Sequence, residues 1–98
     1  MVKLGKRLKE LRLERKMTQK QIADRLGLAI SAVSAYESGD RYPTYDTLIT
    51  LARIYHVSTD YLLGISSRRE IDVTGLDEEE ILFVSQLVEL LRKKKEGL

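Results

Sequence analysis

The chain has 98 residues, 43% of them hydrophobic and 33% charged, which leaves room for one small domain with a marginal core and a short appendage. It contains no cysteine, which excludes a disulfide framework and a thiolate metal site. The net charge of +2 hides an asymmetry: residues 1–64 carry 11 Lys/Arg against 7 Asp/Glu, and residues 65–98 carry 6 against 8, so only the front has the balance suited to phosphate.

The N-terminal run MVKLGKRLKELRLERK is basic but lacks the apolar stretch of a signal peptide, and no segment approaches the ~20 apolar residues of a membrane span. A soluble, cytoplasmic protein without membrane contact is expected. Leu4, Leu8 and Leu11 recur at helical spacing among Lys3, Lys6, Arg7, Lys9 and Arg12, predicting a first helix from about Val2 to Lys16. Thr18 is a good cap for a second helix running to Arg25 or Leu26, which Gly27 ends. A third helix follows from about Ile30 to Ser38 and stops at Gly39.

Asp40, Arg41, Tyr42 and Pro43 form a loop. Thr44 then caps a fourth helix whose buried stripe is Leu48, Ile49, Leu51, Ala52 and Ile54. Ser58 caps a fifth, with Tyr61, Leu62 and Leu63, before Gly64 closes it. No segment alternates like a strand, so the fold is expected to be all-α. Residues 65–75, ISSRREIDVTG, read as a linker.

The last helix is expected from Leu76 to Lys95, with Thr74 or Asp77 as its cap. Its acidic start (Asp77 to Glu80) and basic end (Arg92 to Lys95) match the helix dipole. Ile81, Phe83, Val84, Leu87, Val88, Leu90 and Leu91 cover roughly half of the cylinder at ~100° per residue, a face that must be buried.

The most informative segment is Thr18 to Pro43, TQKQIADRLGLAISAVSAYESGDRYP. Counting from Gln19, a small Ala23 stands fifth, where two helices cross. Gly27 stands ninth, where the chain turns and a residue without Cβ takes φ > 0 at little cost. Val33 stands fifteenth, facing Ile22, Ala23 and Leu26 across the angle. This is the anatomy of a helix-turn-helix that reads DNA. Arg41 and Tyr42 follow the reading helix, where a cation and a phenol can clasp flanking phosphates, and Lys16 and Lys20, which flank the start of the second helix, are further phosphate candidates.

With the runs LKELRLERKMTQKQIADRLG, VSAYESGDRYP and LARIYHVSTDYLLG, about residues 4–64 resemble the repressor and Cro type of phage and bacterial helix-turn-helix regulators, the xenobiotic-response-element family. The resemblance implies a five-helix domain, the third helix in the major groove, and inverted repeats bound as a dimer. It implies that Gln19 anchors a backbone phosphate and supports the reading helix, and that Ile30, Ser31, Ser34 and Ala35 face the bases; Ser38 is a further DNA-binding candidate. It also implies an ion pair of structural role between Arg12 and Glu37. Relatives often carry Gln, Arg or Lys on this face; here Ile30, Ser31, Ala32, Ser34 and Ala35 stand instead, so readout is expected to lean on methyl contacts, water and DNA shape. Ala29 stands where relatives have a capping Ser or Thr. His56 stands at a turn position often filled by glycine, so a left-handed backbone is expected there.

Tyr36, Tyr45, Tyr55 and Tyr61 read as packing residues rather than a stacking platform. His56 is the only histidine and has no companion ligands. There is no Ser/His/Asp set, glycine-rich phosphate cradle or carboxylate pair in a recognisable frame. No enzyme, catalytic residue, cofactor or metal is expected. Two readings stand for the last helix: folding back in cis over the domain, or pairing with its symmetry mate through Ile81, Val84, Leu87, Val88 and Leu91, and the second is preferred.

The sequence thus predicts an all-α chain: a five-helix repressor-like DNA-binding domain (1–64), a linker (65–75) and a C-terminal amphipathic helix for dimerisation (76–98). The expected function is a homodimeric, sequence-specific transcription regulator, most simply a repressor. Its expected partners are double-stranded DNA carrying an inverted repeat, a second copy of itself, and a regulatory protein on the C-terminal helix. The alternative is an antitoxin or anti-repressor acting mainly through a protein partner.

Overall fold

Thr18, Thr44 and Ser58 each place a hydroxyl just ahead of an apolar-periodic run. In the computed structural model, which describes residues 3–96, each accepts a hydrogen bond from the backbone N–H three residues on. The helices they start are α2 (Gln19–Leu26), α4 (Tyr45–Ile54) and α5 (Thr59–Leu62). At α2 the cap is reciprocal, because the Gln21 side chain accepts from the Thr18 N–H at 2.8 Å. Helices α1 (Leu4–Glu14) and α3 (Ile30–Ser38) begin behind Lys3 and Ala29 without a side-chain cap. Helix α6 (Glu78–Glu96) comes last, and there is no strand among the described residues.

Four of these helices end in one way. The N–H groups of Met17, Leu28, Val57 and Ile65 each donate to the carbonyl five residues back, at 2.9–3.1 Å, past a residue held left-handed. Those residues are Lys16 (φ 55), Gly27 (φ 68), His56 (φ 52) and Gly64 (φ 76). His56 adopts the conformation expected of it; Lys16 was expected to continue the first helix and instead ends it. The expected start at Val2 lies outside the described residues.

Helix α6 starts two residues later than Leu76, because Asp77 rather than Thr74 caps it. The Glu80 N–H donates to Asp77 Oδ1 at 2.8 Å and the Asp77 N–H to Glu80 Oε1 at 3.0 Å. Thr74 belongs to the preceding turn, its N–H donating to Asp72 Oδ1 at 2.9 Å.

The core draws Leu8 and Leu11 from α1, Ile22 and Ala23 from α2, Ala32, Val33 and Tyr36 from α3, Leu51 and Ala52 from α4, with Tyr55 and Leu62 beyond them. Full burial of Ile22 and of Leu62 contributes about 2–3 kcal/mol each. Burial is what holds α3 in place: it has nine residues, no side-chain cap and no charge in its first turn, too little to form alone. Two expectations are corrected. Ala32 is buried between α3 and its neighbours and does not belong to the outward face. Tyr45 is 77% exposed, because it is the first residue of α4 and points away from the core while Tyr55, at the other end, points into it.

Helix α1 crosses the end of α3 closely at Gly5. A Cβ added there would lie 2.5 Å from the Glu37 carbonyl oxygen and 2.6 Å from that of Tyr36. Only a residue without a side chain permits this crossing.

Candidate nucleic-acid interface

Three polar side chains lock the first three helices together. Arg12 on α1 donates to both carboxylate oxygens of Glu37 on α3, from Nε at 2.7 Å and Nη2 at 3.0 Å, and from Nη1 to the Met17 carbonyl at 3.0 Å. Gln19, first residue of α2, donates its amide to Glu37 Oε1 at 3.2 Å. The pair is nearly dry, with side chains 10% and 5% exposed, and the bidentate bond raises the Arg12 pKa above its ordinary value. Burial and the charge of Glu37 push the nearby Tyr55 phenol up to about 12. The pair has the structural role that the resemblance implies, and it also holds Gln19, which sequence reasoning had not connected to it.

With Ala32, Val33 and Tyr36 turned into the core, the opposite arc of α3 carries Ser31, Ser34 and Ser38, all exposed, flanked by Ile30 (46% exposed) and half-buried Ala35. The Ser38 hydroxyl already donates to the Ala35 carbonyl at 3.1 Å and accepts from the Asp40 N–H at 3.4 Å, so it is less free to read than Ser31 or Ser34. Ala29 provides no side-chain acceptor for the first-turn amides of α3, and only its carbonyl serves them, accepting from the Ala32 N–H at 3.0 Å.

Around this arc the candidate phosphate contacts fall as follows. Gln19 is half-buried at the start of α2, and Lys20 beside it is exposed, engaged only in an exposed pair with Asp24 at 3.1 Å. Arg41 leaves α3 with its guanidinium carbon 5.7 Å from the centre of the Tyr36 ring, and Tyr42 is 80% exposed. Exposed Tyr45 lies three residues further on, a phenol that the sequence reading had assigned to packing.

Behind the domain, charged side chains of residues 65–75 reach back to it. Arg69 makes a bidentate bond to Glu14 of α1 at 2.9 and 3.2 Å, and Asp72 lies 3.6 Å from the His56 ring. The first bond lowers the Glu14 pKa; that of Asp72 is lowered by its bonds to Thr74 and, less, by His56. The Tyr61 ring has Arg7 stacked 3.9 Å from its centre and Arg69 at 5.6 Å. None of these partners was paired in the sequence reading, because they lie up to 55 residues apart.

No residue of α6 is buried. Of the five residues assigned to pairing, Ile81, Val84 and Val88 are half-buried, with Val84 and Val88 bordering a shallow cleft shared with Arg69 and Ile71; Leu87 and Leu91 are 56% and 52% exposed. Among the described residues there is no metal-ligating cluster, and no helix is long and apolar enough to cross a membrane.

A short helix held rigidly on two others, with one face in the core and a polar, cation-flanked face outside, defines a helix-turn-helix module of the DNA-binding class. The helix-turn-helix family profile matches residues 8–62. The HTH-type transcriptional regulator ImmR of Bacillus subtilis is 40% identical over 95 residues, covering 84% of this chain and 75% of that protein. The cryptic phage CTXphi transcriptional repressor RstR of Vibrio cholerae is 31% identical over 96 residues, covering 90% and 86%. Among solved structures, the P22 c2 repressor in complex with a synthetic operator superposes with a TM-score of 0.62 at 27% identity, over 64% of this chain and 96% of that one. The chain belongs to the repressor/Cro-type helix-turn-helix family, whose members are DNA-binding transcription regulators rather than enzymes.

Proposed function

We propose that this protein is a homodimeric, sequence-specific repressor that acts in the cytoplasm by occupying an inverted-repeat operator, with α3 in the major groove. The observation that carries the reading is the outward arc Ser31, Ser34 and Ser38, presented by a helix whose other face is locked into the core. In this reading residues 1–64 bind DNA, 65–75 link and 76–98 pair with a second copy. Ile30 and Ala35 meet thymine methyl groups, Ser31 and Ser34 bond base edges directly or through water, and Ser38 closes the groove contact. Gln19, Lys20, Arg41 and Tyr42 hold phosphates and so set the register of α3. Support for repression comes from the relatives, one of which is a phage repressor by name and another a repressor solved on its operator.

The test is selection of bound fragments from random DNA at near-physiological salt, with the intact chain and with Ser34→Glu. The expected result is an inverted repeat with half-sites about one helical turn apart, ~34 Å, lost in the Ser34→Glu protein because its carboxylate faces bases and phosphates. An absent motif with folded protein, or undiminished binding by Ser34→Glu, overturns the reading.

A further inference from the structure

Helix α6 leaves a second apolar strip open after the linker has covered one flank. Phe83, Leu87, Leu90 and Leu91 are 64%, 56%, 64% and 52% exposed. At ~100° per residue, Leu87 stands at the centre of a face that carries Glu80, Phe83, Val84, Leu91 and Lys94, and positions 80, 84, 87, 91 and 94 follow the alternating spacing of a coiled-coil seam. The seam therefore begins on an acid and ends on a base. The whole helix repeats that polarity, with Glu78, Glu79 and Glu80 in its first turn and Lys93, Lys94 and Lys95 in its last.

We infer that two copies of α6 pair antiparallel, in a register symmetric about Leu87. This rests on the dimer reading above and specifies its orientation and contact residues. The pairing sets Leu87 against its own copy, Phe83 and Val84 against Leu91 and Leu90, and Glu80 against Lys94 at both ends. A parallel pair in register would oppose Glu80 to Glu80 and Lys94 to Lys94, together with the charged turns around them, and would concentrate like charge at each end. Ile81 and Val88 then lie on the flank of the linker rather than at the centre of the interface, while Leu87 and Leu91 keep the role given to them.

Geometry gives the same orientation a functional use. The 19 residues of α6 span about 28 Å at ~1.5 Å per residue. Antiparallel pairing brings the two linkers out at opposite ends, about that distance apart, close to the ~34 Å between half-sites one turn apart. A parallel pair would bring them out side by side, ~8–10 Å apart.

The chain has no cysteine of its own, so introduced thiols report position without background. Phe83→Cys and Leu91→Cys, both at exposed positions, are treated with a short bismaleimide separately and after mixing and exchange. Crosslinked dimer is expected in the mixture and not in either variant alone. Crosslinking of Phe83→Cys to itself as efficiently as in the mixture overturns the orientation while leaving a dimer. A wild-type chain that sediments as a monomer at every concentration overturns the dimer reading and the pairing with it. Independently, Lys94→Glu, which leaves the Asp77–Glu80 cap in place, is expected to weaken the dimer about five- to tenfold at low salt and to lose that effect as salt is raised. An unchanged dissociation constant in Lys94→Glu counts against the antiparallel seam.

Discussion

Glu37 is where three helices meet, and Glu37→Ala tests whether that meeting holds the reading helix. The substitution leaves the Arg12 guanidinium buried, with the Met17 carbonyl as its remaining acceptor, and takes from Gln19 its bond at 3.2 Å. Removing one member of a buried pair costs about 3–5 kcal/mol, whereas replacing both by apolar side chains of similar size is often close to neutral. Against a total stability of ~5–15 kcal/mol the single change is severe, and the midpoint of thermal unfolding is expected to fall by roughly 15–30 °C. Arg12→Met with Glu37→Leu should regain most of that loss. The double variant separates stability from recognition: folded, but with Gln19 no longer held, it should bind its DNA about tenfold more weakly. Urea unfolding and mobility shift of the same preparations give both numbers. A loss below ~1 kcal/mol in Glu37→Ala would mean that the pair behaves as an ordinary surface ion pair, and the argument for a rigid frame would fail.

Other expectations follow from the packing. Gly5→Ala should destabilise the chain by about 1–3 kcal/mol despite the better helix propensity of alanine, because the methyl meets backbone that cannot turn away. Gly27→Ala meets no atom within 4 Å and should cost only the ~1–2 kcal/mol of a left-handed alanine, whereas a Gly5→Ala chain with the urea midpoint of the wild type would contradict the close crossing. The Tyr55 phenol is raised from 10.0 to about 12, so the folded state holds the proton more tightly. Its contribution is complete below pH ~10 and is lost as the pH rises toward ~12, on the order of 2–3 kcal/mol at most. Stability of the wild type should fall across that window more steeply than that of Tyr55→Phe, and parallel pH profiles would refute the assignment.

How much was legible depended on how local each cause is. The cap at Thr18, the turn at Gly27 and the stops at Gly39 and Gly64 are settled within a few residues, and the structure has them where the sequence put them. The left-handed His56 was legible only through the resemblance. Lys16 makes the same turn with nothing in its chemistry to announce it. Tyr36 and Tyr45 look alike in composition, but one faces the core and the other solvent, because direction depends on the turn of the helix each occupies.

By itself the sequence determined an all-helical chain and the place of the helix-turn-helix. Apolar spacing, capping hydroxyls and glycines act over one or two turns, and one chain displays them without a partner. Only the tertiary structure decided that Glu37 holds Gln19 as well as Arg12, that Gly5 is where two backbones touch, and that Arg69 returns to Glu14. These contacts join residues 18 to 55 positions apart, and their existence follows from the angles at which helices cross, which no local pattern encodes.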